Sequence, residues 1–485
     1  MGRSVLLCFL CGCLAGTGAV KKGGPEKLKL QARPFSIPRG EDHRVLLNGA
    51  VPAYLGQDKA APVLRVTLLY RTGIWLDPPG KEGLAEAAAF LLRSGGAGDM
   101  TPEQFDKALE DRAIELRAEA TLDTFRLVLW SLAREGGSAL DLLRQAVTAP
   151  RFDSQRLELW KKRKIEELKA LHDGPEQVVR LYWRDIIWGE NHTVGRRPTL
   201  KSVQSITRED LIAWRKRFLV PENLFLVATS DRPVGQLRKR LEAALEPLLR
   251  GSARKGGRKA DPFASLPQPP PPKPPGVYLV PVPVHKATLR IGHRGIRYSD
   301  KRLLAFQVVS YIFGEGSFQS RLTERVRTEE GLTYGIFSYV IPGWVFPGTT
   351  IVQASTDPPN VSRVIELVRE EVQLLAEKGV TLQEIDAAKK SMIARFAGFF
   401  EDLHDTLTAT ALLEYRGRPL DFYATYRKRL GALTPEEINR AARAFLKPGE
   451  LRILIAGDLK AIEGAKPPLS RFGPVRVLPL RDPLK

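Results

Sequence analysis

The chain has 485 residues, 43 % of them hydrophobic, enough for a globular body of more than one domain. Its formal net charge is +20, yet the basic residues are dispersed along expected helices and interleaved with acids, as in Lys161-Lys162-Arg163-Lys164-Ile165-Glu166-Glu167. With no nucleic-acid motif, that pattern describes a solvated surface able to steer an acidic polypeptide, and it argues against nucleic acid as a partner.

The cysteines, Cys8, Cys11 and Cys13, lie at the extreme N-terminus, so the body holds neither a disulfide nor a Cys-based metal site. Arg3 and the apolar run 5–10 read as an export signal within residues 1–20. The stretch Leu10-Cys11-Gly12-Cys13 resembles a bacterial lipoprotein box, in which Cys13 becomes the lipidated first residue; cleavage near Ala19 is the alternative. Acyl chains hold a bilayer at roughly 0.8 kcal/mol per buried methylene. No other stretch approaches the ~18 consecutive apolar residues of a membrane span. These features predict an exported bacterial envelope protein, anchored by lipid to a membrane facing the periplasm but not spanning it. Residues 21–40, rich in Lys, Gly and Pro, read as a tether.

In the first half, residues 41–250, Asn48-Gly49 marks a hairpin, because both residues tolerate the left-handed geometry of primed turns. Residues 63–70 read as a strand and 83–92 as an Ala/Leu-rich helix, and Thr101 caps the next helix. Strands are expected at 115–121 and 124–129, and helices at 138–147 and 153–171. Leu157, Trp160, Ile165 and Leu168 form one apolar stripe on the second helix. A basic, then polyproline segment at 251–276 reads as a linker. The second half, 277–462, repeats the kind: strands over 277–292, a helix at 300–313, a helix ended by Gly331, and a strand at 332–340. Residues 463–485 form a tail. The halves also align without a gap: Thr207, Phe218, Pro221 and Asp231 map onto Thr434, Phe445, Pro448 and Asp458 at a constant offset of 227 (434 − 207). Strands in series followed by helices in series predict an α+β fold of two homologous domains, each an antiparallel sheet packed with helices and related by internal duplication.

Three ordered landmarks carry a family resemblance: Asp77-Pro78-Pro79-Gly80-Lys81-Glu82-Gly83-Leu84-Ala85, the duplicated helix–strand ends, and Arg327-x-x-x-Gly331-Leu332-Thr333-Tyr334. Over residues 40–460 the chain resembles one subunit of the insulinase/pitrilysin zinc metallopeptidases, in the two-domain branch that includes mitochondrial processing peptidase. There, two subunits close like a clamshell around an extended peptide. The resemblance implies a His-x-x-Glu-His helix whose imidazoles bind zinc while the glutamate takes a proton from the bound water. This chain has Glu86 at the first histidine, Ala89 at the catalytic glutamate and Phe90 at the second histidine. Glu167 stands at the third-ligand interval, 77 residues after Phe90. His43, His172, His192, His285, His293 and His404 form no pair with helical ligand spacing. Glu86 and Glu167 could form an acid/base pair, but glutamates on helices full of Lys and Arg are the more ordinary product of such a sequence.

The resemblance implies a different fate for the substrate-gripping segment. Arg327 and Tyr334, seven apart around Gly331, would point into the chamber and bind peptide. The expected protein is therefore a zinc-less subunit with no cofactor of its own. It would share a peptide chamber with a homologous zinc-bearing partner and reach a membrane through its anchor. A non-enzymatic assembly or peptide-binding protein is the alternative, and an autonomous peptidase with an aberrant metal site the weakest reading.

Overall fold

The computed structural model describes residues 37, 39–172, 174–250, 261–316 and 319–482. The export segment, Cys13 and most of the tether lie outside them, as do residues 251–260 of the linker. Among the described residues no helix is long and apolar enough to cross a membrane.

Strand β1 (Arg44–Leu47) turns into β2 (Val51–Gln57) through Asn48 and Gly49, whose φ angles of 45° and 72° give the expected left-handed turn. With β3 (Val63–Tyr70), β4 (Glu115–Ala120), β5 (Phe125–Leu132) and β6 (Leu224–Ser230) they form one six-stranded sheet, ordered β1-β2-β6-β3-β5-β4. The second half builds β7 (Gly276–Pro281), β8 (Ala287–Arg294), β9 (Thr333–Ile341), β10 (Thr349–Thr356), β11 (Arg452–Gly457) and β12 (Val475–Val477), ordered β12-β7-β11-β8-β10-β9. Five strands of each sheet follow the same plan, as a duplication requires. The repeated ends agree in detail: helices Arg208–Phe218 and Pro435–Phe445 each open with a capping box, on Thr207 and Thr434, and each leads through a short Pro-started turn into a central strand.

The expectation of antiparallel sheets needs correcting. β6 runs parallel to β2, and both β11 and β12 run parallel to β7, so the sheets are mixed. The cause is the long helical crossover before β6 and β11, which returns each strand to the sheet centre in the direction a hairpin cannot give.

One feature of the packing had no counterpart in the sequence reading: the halves exchange helices. Pro175–Trp188, from the first half, lies on β8 and β11 of the second sheet, where Val178, Tyr182 and Ile186 pack with Tyr278, Val280 and Leu454. Leu403–Tyr415, from the second half, lies on β2 and β6, where Leu407, Ala411 and Tyr415 pack with Tyr54, Phe225 and Val227. Each sheet is thus covered on one face by its own helices and on the other by a helix of its twin. The polyproline segment also joins the body: Arg294 and Arg452 donate to the carbonyls of Pro270 and Lys273, and Lys273 donates its amide to Ile186. The tail adds β12 and then ties Arg481 to Asp185 at 2.7 Å and to Glu190 at 2.6 Å.

Candidate functional site

The helix at the metal position, Leu84–Ser94, starts from Gly83 at φ 103°. The buried Asp77 carboxylate accepts from the Gly83 and Ala85 amides, both at 3.0 Å, and so caps the helix. Burial pushes that carboxyl up to about 7, against the pull of the two amides. Ala85, Ala87 and Ala88 are fully buried, letting the helix lie close to its neighbours, and Ala89, at the catalytic base position, is buried too. Half-buried Phe90, at the second histidine position, packs against the core and lies under the Arg163 guanidinium, 5.7 Å from the ring centroid.

Glu86 and Glu167 meet on a cation supplied by the chain itself. Lys164, on helix Ser154–Lys169, brings Nζ to 3.1 Å from Glu86 Oε2 and 3.2 Å from Glu167 Oε2. Burial works against the lysine's charge, but the two carboxylates outweigh it and hold its pKa above the ordinary value. The two positions that align with a first and a third metal ligand therefore grip an ammonium. Among the described residues no three His, Cys, Asp or Glu side chains gather as a metal set. Zinc does not fit here: the ligand positions are a methyl-lined helix, a phenyl ring and two carboxylates already paired to Lys164. Glu86 and Glu167 thus make the ion pairs that glutamates on Lys- and Arg-rich helices ordinarily make.

The gripping segment is built differently. Arg327, partly exposed, sits on the π-helical segment Thr323–Glu329, whose end is set by Gly331 at φ 63°. Nothing lies within 4 Å of where a Gly331 Cβ would be, so the requirement there is for backbone angle, not space. The Gly331 amide donates to the Arg327 carbonyl and the Leu332 amide to that of Val326, closing the helix end. β9 follows at once. Buried Thr333 anchors it through its hydroxyl to the carbonyls of Gly335 and Ser355, and Tyr334 then stands 85 % exposed with Lys286 Nζ 4.7 Å from its ring centroid. Glu330, next to Gly331, is gripped by Arg363 at 2.5 and 2.9 Å. In the adjoining segment, residues 317–318 lie outside the described ones, while Arg321 pairs with Glu384 at 2.6 Å.

β9 is an edge strand, as is β4 at the same place in the first sheet. β4 exposes Glu115, Arg117 and Glu119, charges that blunt an edge. β9 exposes Phe337 (44 %), Tyr339 (43 %) and Ile341 (52 %) beyond Tyr334. Of these two matching edges, β9 is the one that offers aromatic contact beside unpaired backbone groups. The sequence reading missed this contrast and missed Lys164, although Lys164 lies one helical turn before Glu167 and that spacing was the available signal.

Residues 205–392 match the family model for the peptidase M16 inactive domain, M16 being the insulinase type. A Helicobacter pylori protein named as a non-peptidase homolog is 24 % identical over 426 residues, covering 86 % of this chain and 94 % of its own length. A Streptomyces coelicolor protein named as an uncharacterized zinc protease is 23 % identical over 347 residues, 70 % of this chain and 69 % of its own length. The solved peptidase M16 inactive domain from Pseudomonas fluorescens superposes with a TM-score of 0.75 at 19 % identity, over 86 % of this chain and 97 % of that one.

Proposed function

We propose, from the premise of an M16-like, non-catalytic chain whose residues 205–392 match the inactive domain of that family, that this protein is the substrate-holding half of a divided peptidase. Hydrolysis belongs to a homologous partner subunit bearing zinc. This chain supplies Arg327 and Tyr334 to the shared chamber, where the guanidinium gives forked donors to a peptide carbonyl or developing oxyanion and the phenol adds one more. Peptides or unfolded segments are the substrates, lying along the β9 edge through main-chain hydrogen bonds. The observation that carries this reading is a pairing of opposites: the metal position is closed by Lys164, while Tyr334 is 85 % exposed on an open sheet edge.

The test is the co-purified complex with Arg327→Ala and Tyr334→Phe together. Loss of one oxyanion donor commonly costs about 10²-fold in kcat. A loss of that order with unchanged assembly is the expected result, and full activity sinks the shared-site reading.

A second reading, a peptide-holding or assembly protein with no hydrolytic partner, draws on the relative named as a non-peptidase homolog. Co-purification decides: a partner carrying His-x-x-Glu-His supports the first reading and its absence the second. The geometry around Lys164 gives least support to hydrolysis by this chain alone. We place the protein in the bacterial envelope, tethered through Cys13, so Cys13→Ser should release it from the membrane fraction; retention there overturns the anchor.

A further inference from the structure

The second half keeps open what the first half has closed. Helix Leu382–Gly398 is the counterpart of Ser154–Lys169, since its cap Thr381 follows Asp153 by 228 residues, and the same interval carries Glu167 onto Arg395. In the first half that place is sealed by Lys164 between two glutamates. In the second, Arg395 borders a cavity of about 620 Å³.

Its walls are aromatic: Tyr298, Tyr311, Phe396, Phe400, Tyr423 and Tyr426. Phe396 stacks on Tyr426 at 4.0 Å between ring centroids and meets Phe400 edge-on at 4.8 Å, while Phe400 meets Tyr423 at 5.3 Å. Phe399, also on the lining, is 67 % exposed. Three charged groups stand on the lining: Asp405, already paired with Arg65 at 2.8 Å, and then Glu315 and Arg395. Glu315 accepts from the Ser310 hydroxyl at 3.3 Å, and burial pushes its carboxyl up. Exposed Arg395 makes no ion pair or hydrogen bond with the described residues, although its charge acts on both Glu315 and Tyr426.

We propose that this cavity takes the carboxyl end of a peptide whose last residue is aromatic, with the side chain among the rings, the α-carboxylate on Arg395 and the last amide N–H on Glu315. A volume of this size is ordinary for a small-ligand site with few polar groups. The rings favour a planar apolar group, offering both stacked and edge-on contacts. The uncommitted guanidinium disfavours a cation and fits a carboxylate in its fork. An amide N–H suits Glu315 better than an ammonium would, because either protonation state of a carboxyl can accept from it. The site uses neither Arg327 nor Tyr334, so it stands or falls apart from the divided-peptidase reading.

Calorimetric titration of the full chain with a short acetylated peptide ending in phenylalanine, with its C-terminal amide and with free phenylalanine tests the assignment. The expected result is saturable binding of the acid peptide, weakened at least tenfold by amidation and by Arg395→Met. Equal affinity for acid and amide, equal affinity for free phenylalanine, or no saturable binding overturns it. The peptide comparison uses the unsubstituted protein, so it holds even if Arg395→Met folds poorly.

Discussion

Lys164 Nζ lies 3.1 Å from Glu86 Oε2, joining two helices at the positions that the family resemblance aligns with metal ligands. The pair is mostly shielded, with side-chain exposures of 16 % for the lysine and 31 % for the glutamate, so its loss should be felt. Lys164→Met leaves Glu86 without its counter-charge and should destabilise the protein by about 1–3 kcal/mol. Lys164→Met with Glu86→Leu removes both charges and should recover most of that, because an apolar pair of similar shape replaces an ion pair at little cost. Denaturant unfolding of the two single variants and the double variant reads the coupling directly. Equal stability of Lys164→Met and the parent would show the pair to be ornamental.

The same geometry sets what restoring a metal site requires. Glu86→His, Ala89→Glu and Phe90→His rebuild the missing pattern, but the Lys164 ammonium would still repel a dication and occupy Glu167. Adding Lys164→Ala should therefore be decisive: the fourfold variant binds Zn²⁺ saturably and the threefold variant binds at least tenfold more weakly. Calorimetry with Zn²⁺ distinguishes them. Similar affinities would mean that Lys164 swings clear and does not guard the position.

Sequence reached the fold class because it rests on local signals: capping boxes at Thr207 and Thr434, the Asn48-Gly49 turn, and the break at Gly331. It did not reach the parallel placement of β6 or the exchange of helices Pro175–Trp188 and Leu403–Tyr415. Both are set by which face meets which, and an apolar stripe on a helix does not name its partner sheet. At the site, the replaced residues Glu86, Ala89 and Phe90 could be read one by one. The ammonium between the carboxylates could not, because Glu86 and Lys164 are 78 positions apart and meet only through helix packing.

His404 supplies a pH dependence. It is carried by the exchanged helix into the first sheet, where Nε2 lies 2.8 Å from the Thr67 hydroxyl and Nδ1 3.0 Å from that of Thr229. Burial first, then the Arg65 charge, pushes its pKa down to about 3, with Asp402 pulling the other way. The neutral ring is thus the folded form, and the unfolded chain takes up the proton first, near the ordinary value of about 6.5. This group's contribution is complete above about pH 6.5 and is lost progressively as pH falls toward 3, by up to about 1.4 kcal/mol per pH unit. His404→Gln should lower stability at pH 7 yet flatten the acid slope by roughly that amount. Thermal midpoints between pH 7 and 4 provide the check, and parallel slopes for parent and variant would remove His404 from the account.

The β9 edge makes the last prediction, one that separates stability from binding. Phe337 and Tyr339 are a little over two-fifths exposed (44 % and 43 %), and their rings lie 6.4 Å apart, so little apolar area is lost from the folded monomer when they change. Phe337→Lys with Tyr339→Lys should shift unfolding by no more than about 0.5 kcal/mol per site, the ordinary range for surface positions. The same pair gives β9 the charged character that Glu115, Arg117 and Glu119 already give β4, and charged edges resist an added strand. Affinity for an unfolded polypeptide or for the partner subunit should fall at least tenfold, measured by polarisation of a labelled unstructured peptide and by co-purification. Retained affinity in both assays at unchanged stability would move the binding surface away from this edge. A large loss of stability would instead mean that the two rings belong to the monomer's own packing, and that their exposure has another cause than a missing partner.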